Sequence, residues 1–384
     1  MDLLVLAEVR WGYFRTRKQF LLSRFPADWR VFYAQPPGGG ADDPWAPRRE
    51  DRVTYFTVPF LKPATRSAPY NALAATAPGR AGIEWLAERR LRARLASLGV
   101  EPRPVVLCSN MYAARCLERI PHRAAFWDFN DDPFQFAGIP GWARPYWPRV
   151  LRAVDAVFVV SEWYRRRLAR ETDRPLIPLG NGVEFDTFAT DRPVPADLAA
   201  LPRPLVGYLG LLSHFLDFEV LEALRRARGG GTLVLAGPGS PATDAAIADF
   251  ARREGVVHLG PRPYAEVPAL MQALDVGVIP FRAQDPFVQG INPNKVYQYL
   301  AAGRPVVSTP LLDLEPRPPL LQFASDPEGF ANAVRVALAA RPPAAQCRTL
   351  ARPHDWGALA ERMVGEIERR MAGSGTSPST REDA

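Results

Sequence analysis

The chain is predicted to be an α/β protein with two domains, each built around a parallel sheet. In both halves, short apolar runs rich in β-branched residues alternate with helical patterns, and this alternation is typical of parallel strands covered by helices. The length of 384 residues exceeds that of a common single-core domain. Four prolines within residues 191–204 mark a linker between the two sets of strands. Two Rossmann-like domains in series are therefore expected.

The predicted strands fall into two groups, one on each side of this linker. They are residues 3–7, 31–34, 53–58, 105–108, 125–128, 156–160 and 176–179, and then 205–209, 232–236, 256–259, 276–280, 305–308 and 320–323. The groups define domains of residues 1–190 and 205–354, followed by a helix at 355–371 that precedes a tail, 372–384, expected to be disordered. Residues 38–79 are rich in Gly and Pro and are expected to be mostly irregular and partly mobile. Open α/β sheets bind ligands at the carboxyl ends of their strands, so the two sheets are expected to face a central cleft.

Positive charge is concentrated in the first half of the chain. The net charge is +7; residues 1–190 contain 28 Lys and Arg against 20 Asp and Glu, a net +8, and residues 191–384 contain 20 against 21, a net −1. This distribution predicts attraction to an acidic substrate or to an anionic membrane surface. Nucleic acid is not an expected partner, because the sequence has no helix-turn-helix, zinc-finger, RNP or arginine-rich tail pattern.

The sequence predicts no cofactor and no metal site. Cys108, Cys116 and Cys347 lack C-x-x-C spacing, and the four histidines form no H-E-x-x-H or similar cluster. The amino-terminal residues lack the pattern of a signal peptide, and no run approaches the ~20 apolar residues of a membrane-spanning helix. A cytoplasmic protein is expected, with contact at the inner face of the plasma membrane through its basic first half.

The most informative stretch is N-P-N-K-V-Y-Q-Y-L-A-A-G-R-P-V-V-S-T, residues 292–309. Asn292 is a favourable N-cap and Pro293 suits the first helical position, so a helix with free N–H groups is expected there. Those groups, with Lys295 in the first turn, predict a phosphate site. Gly303 is expected to end the helix before a buried strand. The alternative is an ordinary helix whose lysine is solvated.

Carboxylates cluster after the predicted strand at residues 125–128, in W-D-F-N-D-D. Asp128, Asp131 and Asp132 could orient sugar hydroxyls, act as an acid or base, or hold a metal ion. A hydrogen-bonded turn that caps the next helix requires the same residue types. The sequence contains no D-x-D, which disfavours a metal-bridged diphosphate.

Two further segments after strands are candidate binding sites. Gly210 follows the predicted strand at 205–209 and would let the backbone approach a phosphate, although a tight turn has the same requirement. Arg15, Arg17 and Lys18 follow the first strand beside aromatic residues, which predicts contact with an acidic or lipid-borne acceptor. A solvated helix start is the alternative for each of these three side chains. No G-x-G-x-x-G fingerprint is present, so an NAD enzyme is not supported.

Taken together, these segments resemble the GT-B glycosyltransferases of the large retaining group, which transfer sugars from nucleotide donors in bacterial polysaccharide and glycolipid synthesis. The matching motifs occur in order along nearly the whole chain: D-F-N-D-D, V-S-E-W and N-G-V-E in the first half, then V-G-Y-L-G with Asp217, L-A-G-P, H-L-G, D-V-G-V-I-P and N-K-V-Y-Q-Y-L-A-A-G-R-P-V-V-S-T. Of these, the last is the most specific.

The resemblance implies that the second domain binds a nucleotide-diphosphate sugar and the first binds a sugar or lipid-linked acceptor, with the terminal helix crossing back to the first domain. It implies retention of configuration without a metal ion. The implied donor-binding residues are Gly210, Pro280, Arg282, Asn292, Asn294, Lys295 and Gln298. The implied catalytic residues are Asp128, Asp131, Asp132 and Lys295, and Arg15, Arg17 and Lys18 are implied to contact the acceptor.

Two departures from the family pattern are present. Relatives commonly carry a pair of glutamates with seven residues between them, and these positions are Gly290 and Gln298 here. Gln298 can still donate or accept hydrogen bonds with ribose, but without charge. The basic residue often found after the first strand of the donor domain is absent from residues 211–214, and Arg282 is its nearest substitute. These departures motivate an alternative hypothesis, a catalytically weak scaffold that binds a sugar nucleotide or a partner enzyme; a membrane-surface adaptor is a third.

Overall fold

The computed structural model describes residues 1–12, 15–38, 45–63, 65–135 and 138–374, with side chains to residue 372. The chain divides into two compact units. The first contains Met1–Val160, Tyr164–Leu179 and the chain from Leu359 onward, and the second contains Ser161–Trp163 and Gly180–Ala358.

The first unit is built on an eight-stranded sheet of order β3-β4-β2-β1-β5-β6-β7-β8. Its strands are β1 (Asp2–Leu6), β2 (Arg30–Gln35), β3 (Arg48–Glu50), β4 (Val53–Thr57), β5 (Val105–Cys108), β6 (Ala124–Phe129), β7 (Ala156–Val159) and β8 (Leu176–Pro178). The helices along this part of the chain are α1 (Arg17–Leu22), α2 (Ala68–Ala75), α3 (Ala77–Ser97), α4 (Ala114–Arg119), α5 (Tyr146–Ala153) and α6 (Glu162–Leu168). Neighbouring strands pair in parallel except β3 and β4, which are antiparallel.

The second unit has a six-stranded sheet, all of it parallel, of order β11-β10-β9-β12-β13-β14. Its strands are β9 (Leu205–Leu209), β10 (Thr232–Ala236), β11 (Val256–His258), β12 (Val276–Ile279), β13 (Val306–Ser308) and β14 (Leu321–Phe323). Its helices are α7 (Phe185–Ala189), α8 (Ala196–Ala199), α9 (Phe218–Arg226), α10 (Asp244–Ala251), α11 (Val267–Ala273), α12 (Pro286–Gly290), α13 (Asn294–Ala301), α14 (Pro327–Ala340) and α15 (Ala344–Ala351). The last helix, α16, spans Trp356–Ser374.

Every strand predicted from the sequence is present, with each end within one residue of its predicted position. Most of these strands are apolar on both faces, as parallel strands covered by helices must be. The strand that was not predicted is β3, which reads R-R-E and is fully exposed. It lies at the edge of the first sheet, where charged residues protect an unpaired edge from further pairing. Within residues 38–79, expected to be mostly irregular apart from the strand at 53–58, the structure adds β3, α2 and the first residues of α3, while residues 39–44 and 64 lie outside the described residues.

Each sheet has a point where the strand order reverses. In the first sheet β1 lies between β2 and β5, and in the second β9 lies between β10 and β12. Crossovers to the two neighbours leave on opposite faces of the sheet, which opens a crevice at the carboxyl ends of the central strands. The candidate site residues of each unit should therefore lie after β1 and β5, and after β9 and β12.

The limits of the compact units differ from the predicted domain limits. The second unit begins at Gly180, and residues 191–204, expected to be a linker, lie within it. Arg192 N–H donates to Gln272 Oε1 at 2.9 Å, while Gln272 Nε2 donates to the carbonyls of Phe188 and Thr190, both at 2.8 Å. These bonds attach the segment to α11. Residues 372–374 continue α16 instead of belonging to a disordered tail, and the remaining residues of the predicted tail are outside the described part of the chain.

Candidate functional site

The crevice residues of the second unit come together where Gly210, after β9, meets Lys295, in the first turn of α13. The backbone of Gly210 has φ +151°, in the region that favours glycine. A Cβ at this position would lie 1.9 Å from Lys295 Cε and 2.4 Å from Nζ. The backbone conformation favours glycine here, and any Cβ would also force the end of the Lys295 side chain to move from its present position.

Lys295 is a partly buried cation without a carboxylate partner among the described residues. Its Nζ lies 5.7 Å from the centroid of the Tyr208 ring, whose face offers only a weak attraction to a cation. Desolvation lowers the pKa of Lys295 to about 8. An ammonium group in this position is poorly solvated, and the adjacent amino-terminal end of α13 adds positive potential. An anion bound here would compensate both the poor solvation of the ammonium group and the positive potential of the helix end.

A second glycine shapes the same crevice from the neighbouring strand. Gly237 follows β10 with φ +138°, and a Cβ there would lie 2.0 Å from the carbonyl oxygen of Gly210. Gly210 N–H donates to the Ala236 carbonyl at 2.8 Å, which holds the two loops in contact. The A-G-P segment of the L-A-G-P motif therefore positions the backbone of Gly210.

Asn292 has a structural role that differs from the predicted one. Pro293, not Asn292, is the N-cap of α13. The Asn292 side-chain oxygen accepts from Asn181 N–H at 3.0 Å and from the Tyr297 hydroxyl at 3.0 Å, and its carbonyl accepts from Asn181 Nδ2 at 2.8 Å. Asn292 is therefore buried between α13 and the loop after Gly180, where tertiary contacts use its side-chain oxygen instead of the helix N–H groups.

The other donor-site residues predicted from the sequence lie around this crevice. Asn294 begins α13, and Gln298 lies one turn later; both are partly buried. The Pro280 carbonyl, after β12, accepts from Asp217 N–H at 2.8 Å, so it positions the start of α9. Arg282 is exposed two residues further on, and its N–H donates to the Phe215 carbonyl at 2.8 Å. Gly303 ends α13 with φ +78°, as predicted.

In the first unit, two of the three predicted acceptor-binding cations, Arg17 and Lys18, are buried in ion pairs. Arg17 Nε lies 3.0 Å and 3.3 Å from the two Asp128 carboxylate oxygens, and the side chains are 3% and 2% exposed. Lys18 Nζ lies 2.5 Å from Glu8 Oε1. Burial lowers the pKa of Lys18, but the carboxylates of Glu8, Asp128 and Asp131 outweigh burial and raise its pKa above the ordinary value. Of the three predicted cations, Arg15 alone is exposed.

The three predicted aspartates are used in three different ways. Asp128 is the partner of Arg17. Asp132 is buried, accepts from Phe134 N–H at 2.9 Å and pairs with Arg167, so it stabilises the turn after β6. This is the turn interpretation that the sequence left open. Asp131 is exposed and accepts from Asn130 Nδ2 at 2.6 Å.

A cavity of about 260 Å³ lies at the reversal point of the first sheet. Its polar lining comes from residues at or just beyond the carboxyl ends of β1, β5 and β6, including Glu8, Ser109, Asp128, Asn130 and Asp131. Its apolar lining includes Trp127 and Ile139. A cavity with apolar walls and several convergent polar groups is the usual form of a small-molecule site.

Two polar atoms on residues that line this cavity lack a protein partner. The Tyr112 hydroxyl and Asn130 Oδ1 are buried and have no hydrogen-bond partner among the described residues. The Tyr112 ring is fixed between Trp142 and Tyr146, with ring centroids 6.0 Å and 5.8 Å away. Leaving a buried polar atom unpaired costs free energy, so such atoms indicate a bound molecule or water.

Sequence analysis did not identify Glu8 or Tyr112. Glu8 is the second residue after β1, and its carboxylate accepts from Lys18 Nζ and from the Ser109 hydroxyl. An acidic residue after the first strand was a recognisable signal, because that is where the reversal point of such a sheet lies. Tyr112 had no comparable signal, since its position depends on packing against Trp142.

Comparison with known proteins agrees with this architecture. The structure of sucrose-phosphate synthase from Thermosynechococcus elongatus superposes with a TM-score of 0.69 at 16% identity, covering 97% of this chain and 99% of that one. Anabaena HepE in complex with UDP gives 0.66 at 14% identity, covering 96% and 100%. An E. coli structure described as trehalose-6-phosphate bound with UDP-2-fluoro glucose gives 0.65 at 13%, covering 96% and 99%. The chain has the GT-B fold.

The sequence relationships of this GT-B protein concern part of the chain. Residues 204–340 match the family described as glycosyl transferases group 1. TuaH of Bacillus subtilis (strain 168), described as a teichuronic acid biosynthesis glycosyltransferase, is 28% identical over 172 residues, which covers 42% of this chain and 42% of TuaH. The group 1 match contains both Gly210 and Lys295. It also contains Gly290 and Gln298, the two departures from the glutamate pair.

Proposed function

We propose that this GT-B protein is a glycosyltransferase that moves a sugar from a nucleotide-diphosphate donor to a hydroxyl group of an acceptor, with retention and without a metal ion. The observation that carries the proposal is Lys295, a desolvated cation at the amino-terminal end of α13 for which the described part of the chain provides no carboxylate partner. The group 1 match and the UDP complexes of proteins with the same fold support it.

The proposed donor site holds the diphosphate between Lys295 and the first N–H groups of α13. Because Gly210 has no side chain, the Lys295 ammonium can lie beside the loop after β9. In the reaction the bond from the sugar C1 to the diphosphate oxygen breaks, and a bond from the acceptor oxygen to C1 forms. The acceptor proton passes to the departing phosphate, whose negative charge is stabilised by Lys295 and the helix N–H groups.

The proposed ribose contact is the Gln298 side chain, one turn into α13 from Lys295. Its amide can donate to one hydroxyl and accept from another, but it provides no charge. Gly290 provides no side chain at the other position of the usual glutamate pair. UDP-sugars are the first donors to test, since UDP and UDP-glucose occur in complexes of the structural relatives.

The cavity of the first unit is the proposed acceptor site. Because Arg17 and Lys18 are already paired with Asp128 and Glu8, neither cation is free to bind an acidic acceptor. With Asp131 added, the five charged groups sum to −1. The cavity therefore suits a neutral sugar, with the Tyr112 hydroxyl, Asn130 Oδ1 and Glu8 as partners for its hydroxyls. The TuaH relationship makes cell-envelope polysaccharide the first acceptor class to test.

The decisive experiment combines a donor screen with substitution of Lys295. Thermal-shift measurements against UDP-, GDP-, dTDP- and ADP-sugars identify the donor, and transfer to neutral and acidic oligosaccharides is then measured. Lys295→Ala should abolish donor binding and reduce turnover by at least about 100-fold, in the range found when one charge-stabilising group is removed. Near-normal turnover of this variant would reject the proposal. Donor binding without transfer to any acceptor would instead identify a sugar-nucleotide-binding scaffold.

A further inference from the structure

An exposed apolar and basic surface lies on α2 and α3 of the first unit, away from the groups discussed so far. Leu73, Trp85 and Leu86 are 51%, 49% and 39% exposed. Leu73 and Leu86 line a shallow groove of about 500 Å³ together with Pro78 and Gly82. We call the surface formed by Leu73, Trp85, Leu86, Arg89 and Arg90 the α2–α3 surface. Large apolar side chains grouped in this way mark an interaction site.

The two helices are held together rigidly. The Thr76 hydroxyl accepts from Gly79 N–H at 3.1 Å, which caps α3 immediately after α2 ends. Arg80 donates to the carbonyls of Ala74 and Ala75 at 3.0 Å and 2.9 Å, and so satisfies the last turn of α2. Leu73, Trp85 and Leu86 therefore lie on two helices that are joined by these hydrogen bonds.

Most charged residues in the segment that contains α2 and α3 are positive. Between residues 65 and 94 the sequence has six arginines and two glutamates. The glutamates are not available at the surface, since Glu84 pairs with Arg149, and Glu88 pairs with Arg92 and Arg115. Arg89 and Arg90 follow Trp85 and Leu86 by one helical turn and are exposed on the same face. The Arg89 guanidinium lies 5.4 Å from the centroid of the Trp85 ring.

We propose that the α2–α3 surface docks the protein on an anionic lipid bilayer, with Leu73, Trp85 and Leu86 inserted at the level of the headgroups and Arg89 and Arg90 against lipid phosphates. Tryptophan and arginine beside aliphatic side chains are the combination that an interfacial membrane contact uses. Each arginine near an anionic leaflet adds attraction that falls away within a Debye length. The membrane contact is expected from the basic first half as a whole, and the buried Arg17 and Lys18 of that half cannot contribute to it.

The inner side of α3, opposite this exposed face, contacts the cavity of the first unit through stacked side chains. The Arg80 guanidinium lies 5.0 Å from the centroid of Trp142, and Trp142 packs at 6.0 Å against Tyr112, which lines the cavity. An acceptor carried on a lipid could therefore keep its lipid at the α2–α3 surface while its sugar enters the cavity. This last point rests on the proposed function, whereas the membrane contact does not.

The test is sedimentation of the full chain with vesicles of phosphatidylcholine alone, or of phosphatidylcholine with phosphatidylglycerol. Binding should occur to the anionic vesicles and fall with added salt. A triple variant, Leu73→Glu, Trp85→Glu and Leu86→Glu, should lose at least tenfold in partition coefficient, and Arg89→Glu with Arg90→Glu should lose a similar amount. Val336→Glu, at an equally exposed apolar position of α14, is the matched control and should bind normally.

Donor binding should be unchanged in all of these variants, measured by thermal shift with the donor identified in the screen. Unchanged donor binding also shows that the variants are folded. Absence of vesicle binding by the unaltered protein, or normal binding by both sets of α2–α3 variants, would overturn the membrane contact. Concentration-dependent self-association lost in the triple variant, without vesicle binding, would instead assign the surface to a second copy of the chain. Neither result would affect the proposed transferase activity, which is measured on soluble substrates.

Discussion

Gly210 and Lys295 depend on each other, because the lysine side chain fills the space that any Cβ at position 210 would need. The two residues lie 85 positions apart, on the loop after β9 and in the first turn of α13. Their contact places the Lys295 ammonium at the reversal point of the second sheet, and the predictions about donor binding rest on this position.

Gly210→Ala should weaken donor binding by at least tenfold. The added methyl would collide with Lys295 Cε and would also require a positive φ that alanine rarely adopts. Binding of UDP or of the identified donor by isothermal titration calorimetry measures the effect. Gly365→Ala in α16 is a suitable control, because nothing lies within 4 Å of its Cβ position. Unchanged donor affinity in Gly210→Ala would show that donor binding does not depend on the present position of the Lys295 side chain.

Donor affinity should decline as the pH rises above about 8, the pKa to which burial lowers Lys295. The ammonium form binds the diphosphate, and binding should raise the pKa of Lys295 again, so proton uptake should accompany binding between pH 8 and pH 10. Calorimetry in buffers of different ionisation enthalpy measures that uptake. Lys295→Arg should remove the pH dependence in this range, since arginine stays charged. Uptake that persists in Lys295→Arg would assign the proton to another group.

The same lowered pKa predicts how stability depends on pH. Lys295 has an ordinary pKa of 10.5 when unfolded and about 8 when folded, so the unfolded state binds more protons between these values. The contribution of Lys295 to the free energy of unfolding should therefore rise with pH from about 8 to 10.5. Urea unfolding of the wild-type chain and Lys295→Met at several pH values isolates this contribution. If the difference in free energy of unfolding between the two proteins does not change with pH, the lowered pKa does not belong to Lys295.

Asp128→Asn should destabilise the first unit by about 3–5 kcal/mol, because it leaves Arg17 buried without its carboxylate. Urea unfolding provides the measurement. Arg317→Ala is the matched control, since Arg317 and Glu315 form an ion pair with side chains 60% and 79% exposed, and its loss should change stability by less than about 1 kcal/mol. If Asp128→Asn were fully stable but inactive, Asp128 would be a catalytic residue instead of a structural one.

Tyr112→Phe should leave stability unchanged while raising the KM for the acceptor. The hydroxyl it removes has no partner among the described residues, so no protein hydrogen bond is lost. Steady-state kinetics at saturating donor separates the acceptor KM from kcat. Glu8→Gln should also raise the KM for the acceptor, but it should lower stability as well, because Glu8 is the carboxylate partner of the buried Lys18. Donor affinity should be unaffected in both variants. A destabilised Tyr112→Phe protein would show that the hydroxyl is satisfied within the fold.

The sequence predicted the strands closely because strands buried on both faces leave continuous apolar runs, such as D-L-L-V-L in β1. It could not predict β3, whose R-R-E has no apolar signal. Among the site residues, the Lys295 position followed from local helix chemistry. Arg17 and Asn292 were misplaced because their partners are distant along the chain: Asp128 is 111 residues from Arg17, and Asn181 is 111 residues from Asn292. Local preference cannot show which long-range contact a polar side chain will make.

The division of α16 between the two units has a consequence for biosynthesis. From Leu359 onward this helix belongs to the first unit, and it buries Leu359, Ala360, Met363 and Ile367. A ribosome that has produced every strand of the first sheet has therefore still not supplied all of that unit's core. The nascent first unit keeps an uncovered apolar face while the whole second unit is being translated, and it is open to chaperones throughout that interval. A fragment ending at Leu179 would reproduce this state permanently.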